Sequence, residues 1–484
     1  MKPIWMLVAV MCLPLFAAAQ DPAPAAPPAP APADAVAALE TTLSDQTDVA
    51  VTVYNNDRAL VRDRRKLSLA PGTLTLRFMD VAASIQPETV SLVSLNDGGN
   101  LHILEQNYEF DLMSPEKLME KYVGREVTLV NKSNDLNFFE QKAKLLSVNN
   151  GPIYEVEGKI FLGHPGQVVL PELPGELIAK PTLVWMLENG GRDHEVEATY
   201  LTSGMSWKAD YVVTMNREET QMNLEGWVTL NNQSGTTYQN AQLKLVAGEV
   251  NVVQADMMPA PAMEMMKSAV GGRAPQMVEE SFAEYHLYTL QRRTTVKQNQ
   301  SKQVSLLSGN GVAVKKIYEF RGDIAFYASK MEPIKNQNVD VFLTFQNDEK
   351  NQLGIPLPAG VMCVYQQDSG GMYQFSGEDR IRHTAKDEQV RLRLGKAFDI
   401  VAERIQSDYR GVGPTIHEAE FRIPVRNHKD TPVTVDVVEP MPATWTILSK
   451  SHDFVKKDAH TAVFSLDIPA DGTVELTYRV RVQW

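Results

Sequence analysis

Cysteine is almost missing from this chain: of 484 residues, only Cys12 and Cys363 carry a thiol. Cys12 lies in a leader-like stretch, so the mature chain would hold Cys363 alone and close no disulfide within itself. Basic charge is also short, with 47 Lys and Arg against 60 Asp and Glu and a net charge of −13. A surface of that sign repels phosphate, which argues against nucleic acid as a partner and disfavours anionic lipid surfaces. The nine histidines are dispersed, and none forms His-x-His or His-Glu-x-x-His. The Gly-x-Ser-x-Gly elbow of a serine hydrolase is missing too, because Lys208 stands where the last glycine would follow Ser206. Long apolar runs are lacking as well. The run from Ile4 to Phe16 falls short of the roughly 20 residues that cross a bilayer, and no transmembrane segment is predicted in the mature chain.

What is present begins with an address. Lys2 supplies a positive start, the apolar run follows, and Ala17-Ala18-Ala19 offers a small-residue cleavage site, so residues 1–19 read as a secretory signal peptide. Met11 is a poor neighbour for a lipid-attachment cysteine at Cys12, which argues against a lipoprotein. The expected location is the periplasm of a Gram-negative bacterium, or release from it. Residues 20–48 are rich in Pro and Ala and suit an extended spacer.

From Val49 the dominant signal has period two. Val49-Val51-Val53, Leu74-Leu76-Phe78, Leu224-Gly226-Val228-Leu230, Val339-Val341-Leu343-Phe345 and Leu476-Tyr478-Val480-Val482 alternate, and pairs such as Asn150-Gly151 and Asp471-Gly472 supply turns. The fold class expected is all-β: tandem antiparallel β-sandwich, immunoglobulin-like domains with a small inserted β-barrel and few short helices. The organisation expected is an N-terminal β region over 49–112, a helix plus the barrel over 113–182, and sandwich strands over 183–254. A Met/Pro/Gly-rich loop over 255–282, a sandwich over 283–414 and an immunoglobulin-like unit over 415–484 follow. Ser114, Pro115, Glu116 and Gly124 mark the helix ends. Ala397 to Tyr409 fits strand or helix and is assigned to strand. The basic cluster Arg58, Arg62, Arg64, Arg65 and Lys66 reads as a solvated strand face.

Four blocks carry a resemblance: Ser203-Gly204-Met205-Ser206-Trp207-Lys208-Ala209-Asp210-Tyr211; Asn231 to Gly235 with Tyr238 to Asn251; Tyr285-His286-Leu287-Tyr288; and Leu476 to Val480. Together they resemble an exported bacterial family built on a domain of unknown function and related to the C-terminal half of mucoidy-inhibitor-A-type proteins. The resemblance runs from about Val49 to Trp484. It implies a β-rich envelope protein and supplies no catalytic residues.

Candidate chemistry is sparse. His194-Glu195 and His417-Glu418 each pair two ligand types, but neighbours on a strand point to opposite faces and cannot chelate together. Met257, Met258, Met263, Met265 and Met266 crowd one segment, with Met277 nearby; thioethers favour Cu(I), or the stretch is plain linker or an oxidant-scavenging patch. Trp207, Tyr211 and Trp227 are aromatic interface candidates, and Trp207 and Tyr211 suit core anchoring equally. The C-terminal alternation ending at Trp484 reads as the last strand of an immunoglobulin-like unit, rather than of an outer-membrane barrel. The expected function is a non-catalytic cell-envelope binding or adaptor protein, with no cofactor, whose partner is an envelope protein or a polysaccharide. It would be linked to envelope or exopolysaccharide homeostasis. An envelope hydrolase acting on glycan and a Met-loop Cu(I) binder are the alternatives.

Overall fold

The computed structural model describes residues 38–109, 114–134, 137–163, 166–173, 180–248, 276–442 and 444–484. Strands dominate, as the period-two pattern requires, and among the described residues they form four sheets of four, five, eight and thirteen strands. Most neighbours are antiparallel. Parallel pairs also occur, among them Gln46–Tyr54 beside Tyr238–Ala247 and Met205–Met215 beside Gly360–Gln367.

Two large apolar cores organise the molecule. The first draws Val51, Phe78, Trp185, Tyr200, Trp207, Leu230, Leu245 and Leu343 from the four-, eight- and thirteen-stranded sheets. The second gathers Phe320, Tyr327, Ile400, Phe421, Val437, Phe464 and Tyr478. No linker separates them. The strands Gln300–Arg321, Ile334–Gln346 and Gln389–Gly411 each start in one core and finish in the other. The expected unit over 415–484 is therefore incomplete by itself, because its core needs Phe320, Tyr327, Val339, Val341, Ile400 and Ala402 from before residue 415. The segment 397–409 is strand throughout, inside Gln389–Gly411.

A third, smaller core belongs to the inserted segment. Ser114 caps the helix Pro115–Lys121 by accepting from the Lys117 amide at 3.1 Å, and Gly124 follows with φ of 85°, a left-handed value that suits glycine. The segment is not a barrel. Its five strands run in the spatial order Lys159–Leu162, Ile153–Val156, Asn137–Ser147, Glu126–Asn134, Gln167–Val169, and among the described residues the two edges do not pair.

Two further expectations change. The Met-rich loop expected over 255–282 ends earlier, since Met277–Phe282 is a strand paired with Tyr285–Leu290. The basic cluster is not one solvated face: Arg65 is 0% exposed in the first core. It donates to Asp63, to the Thr41 carbonyl at 2.9 Å and to the Met79 carbonyl at 2.8 Å, with its guanidinium 3.5 Å from the centre of the Phe78 ring. Alternation along Arg58–Leu67 sends Arg62, Arg64 and Lys66 outward and Arg65 inward.

Candidate functional site: a cleft between the two cores

Along Gln300–Arg321 the core-facing row reads Val312, Val314, Lys316, Tyr318, Phe320. Val314 packs on the first core, Tyr318 packs on the second and Phe320 lies within it, so Lys316 falls in the gap between them and Tyr318 borders it. Neither core can shield a charged group there at low cost, and the gap stays open as a cleft of about 220 Å³. Met215 and Val341 lie buried at its base, whereas Ser376, Lys396 and Phe398 are exposed at its mouth.

Each polar side chain in the cleft is held from a different element. Glu219, in the turn after Met205–Met215, takes a left-handed φ of 55° and receives the Lys316 ammonium at 2.7 and 2.8 Å. Gln366, at the end of Gly360–Gln367, donates to the same carboxylate at 2.8 Å. Burial opposes ionisation of Glu219, but the Lys316 and Gln366 bonds outweigh it and hold its carboxyl below the usual range. Lys429 arrives from the turn after Ile416–Asn427, where its amide donates to Asn427 at 3.1 Å, and its ammonium donates to the Tyr318 hydroxyl at 3.0 Å. Burial works against the charge on Lys429 too; the Tyr318 hydroxyl and the Glu219 and Asp399 charges prevail and raise its pKa. The Tyr318 ring thus has ammonium groups 5.5 and 5.4 Å from its centre.

The remaining wall is an irregularity in Gln389–Gly411. Asp340 pairs with Lys396 but Asn338 pairs with Val401, so residues 397–400 have only Val339 opposite them and bulge out. Asn338 donates to the Ala397 and Phe398 carbonyls at 2.8 and 3.0 Å, and the His428 amide donates to the Asp399 carbonyl at 2.7 Å. Phe398, at the crest of the bulge, is 90% exposed.

The residues singled out from sequence lie elsewhere. Trp207 and Tyr211 are 3% and 1% exposed inside the first core. The Trp207 indole donates to the Val246 carbonyl at 3.2 Å and the Tyr211 hydroxyl to the Pro358 carbonyl at 2.8 Å. Their aromatic surface is spent on the sandwich. Trp227 faces the other side of that sheet, half-buried, and its Nε1 is enclosed with no hydrogen-bond partner. Met257, Met258, Met263, Met265 and Met266 lie outside the described residues. His194 is buried between Ser94 and Asn189, at 2.8 and 3.0 Å, and His417 bonds Tyr409 at 2.9 Å while Glu418 turns to Arg410 and Arg481. The histidine–glutamate pairs therefore do split across their strands. The apolar row of the last strand, Leu476 to Val482, is buried in the second core.

Residues 196–484, more than half of the chain, match the model of a domain of unknown function, DUF4139. The chain belongs to the DUF4139 family. Among curated proteins, no sequence matches it. All the residues lining the cleft fall within the DUF4139 region. That region starts further along than the resemblance from Val49 suggested, and it begins inside a sheet. Gln46–Tyr54 and Arg58–Leu67, which precede it, pair with Tyr238–Ala247 and His194–Ser203 and complete the first core.

The cleft was not read from the sequence, although a signal for it exists. In the inward row Val312-Val314-Lys316-Tyr318-Phe320, a lysine breaks an otherwise apolar alternation. Such a break marks a place where the strand leaves one core before reaching the next.

Proposed function

We propose that this DUF4139 protein is a non-catalytic, exported envelope protein that works by binding, and that the cleft between its cores is the contact site. The observation that carries this reading is the set of held polar groups in the cleft: Lys316 and Gln366 both donate to Glu219, and Lys429 donates to the Tyr318 hydroxyl. A carboxylate kept ionised by two donors serves as an anchor, not as the proton donor a glycan hydrolase needs. The signal-peptide pattern supports export, and the resemblance to mucoidy-inhibitor-A-type proteins supports a role in envelope or exopolysaccharide homeostasis. The partner is an envelope protein or a polysaccharide.

The test places a photo-crosslinking side chain at Phe398, where 90% exposure leaves room for it, and irradiates intact cells. Recovery of one enriched envelope component is expected. Recovery of the protein alone, with no retention of the purified chain on envelope extract, would refute the reading.

A further inference from the structure

We infer that the cleft holds the anionic group of an acidic polysaccharide, with Lys429, Tyr318 and Lys396 as its donors and Phe398 as the surface against which the sugar lies. The inference rests on the binding function proposed above and names the ligand class.

The charge count comes first. Lys316 and Glu219 neutralise each other at 2.7 Å, which leaves Lys396 and Lys429 against Asp399 among the charged residues lining the cleft. The local excess is positive in a chain whose net charge is −13. Among the described residues no carboxylate forms an ion pair with Lys396. An acidic polymer repelled by the rest of the surface is therefore drawn to this place.

Donor geometry agrees. The Tyr318 hydroxyl accepts from Lys429, so its own proton remains available to a ligand oxygen. The Lys429 ammonium has used one of three N–H groups in that bond, and the other two are available. Ser376 adds a hydroxyl at the mouth. Charge-assisted bonds from such donors suit carboxylate or phosphate oxygens. The shape then selects the carrier. With buried Met215 and Val341 below and exposed Phe398 above, the cleft takes one end group while the rest of the ligand stays outside. That is how a polymer bearing side-group anions would dock. An aromatic ring held out at 90% exposure by the Asn338 clamp offers the apolar face of a sugar a place to rest.

The experiment titrates the full chain with a short uronic-acid oligosaccharide, with its methyl ester, and with inorganic phosphate. Binding of the free acid is expected, weakened at least tenfold by esterification, by Lys429→Met and by Phe398→Ser, and weakened further by salt. Should Lys429→Met misfold by circular dichroism, Lys396→Ala removes an exposed ammonium instead and is expected to weaken binding several-fold. Equal binding of acid and ester, or binding of the acid unchanged in the lysine variants, would overturn the inference. Phosphate competing as strongly as the oligosaccharide binds would overturn the polysaccharide source and leave a general small-anion site. Retention on envelope extract separates the two levels. Retention of wild type and Lys429→Met alike, without response to the acid, sinks this inference and spares the binding function; retention of neither sinks both.

Discussion

Single side chains in this protein carry charge into places where the sequence pattern asks for apolar groups. Arg404 is the extreme case. It lies fully buried in the second core, bonded to both Glu439 oxygens at 3.0 and 2.7 Å, while Tyr327 donates to the same carboxylate at 2.9 Å. Phe320, Phe326 and Phe421 rings surround the guanidinium at 5.3, 5.0 and 5.9 Å. Removing one partner strands a buried charge, so Arg404→Met is expected to cost about 3–5 kcal/mol in urea unfolding. Adding Glu439→Leu to that variant should recover most of the loss, since a well-packed apolar pair replaces the ions. At the cleft, Lys316 sets an acid response. The Glu219 carboxyl titrates below its ordinary range when folded, so its contribution is present above that range and fades as pH falls through the lowered value. Lys316→Met should flatten that part of the acid limb in a pH series of denaturant midpoints, and an unchanged limb would show that another carboxyl sets it.

At the scale of elements, the bulge over residues 397–400 makes the site. Its two carbonyl bonds from Asn338 fix Phe398 outward, and Asn338→Ala is expected to lower stability by about 1 kcal/mol. Hydrogen exchange should quicken at residues 397–400 in that variant while the flanking strand stays protected. The strand class was readable: the alternating runs fall on strands, and Ser114, Pro115 and Gly124 bound the helix. The bulge was not, because its cause lies in a partner strand about sixty residues away in the chain, where Asn338 and Asp340 skip past the extra residues. The inserted sheet stays open where a barrel is expected for a similar reason. Closure depends on whether Lys159–Leu162 meets Gln167–Val169, and short strands with turns look the same in either case. Arg65 shows the limit at its sharpest. Period two alone turns it inward, yet a run of basic residues suggests solvent until Asp63 and the Thr41 and Met79 carbonyls are seen around it.

For the whole molecule, the informative fact is that three strands run through both cores. The expected border after residue 414 follows the strand end at Gly411. The core beyond it still draws on Val339, Val341, Ile400 and Ala402. A fragment of residues 415–484 is expected to remain unfolded by circular dichroism and amide dispersion. A cooperative folded fragment would show instead that the second core is self-sufficient.

Those shared strands also bear on the timing of any encounter. Proteins that wrap a ligand do so by bending a few residues between two bodies. Here the link is three continuous strands, paired on either side of the bulge over residues 397–400, so the two cores shift against each other only if a ladder breaks. Recognition is then lock-like: the cleft is shaped before the ligand comes, arrival needs no gating step, and how long a ligand stays is decided by its own bonds at the mouth.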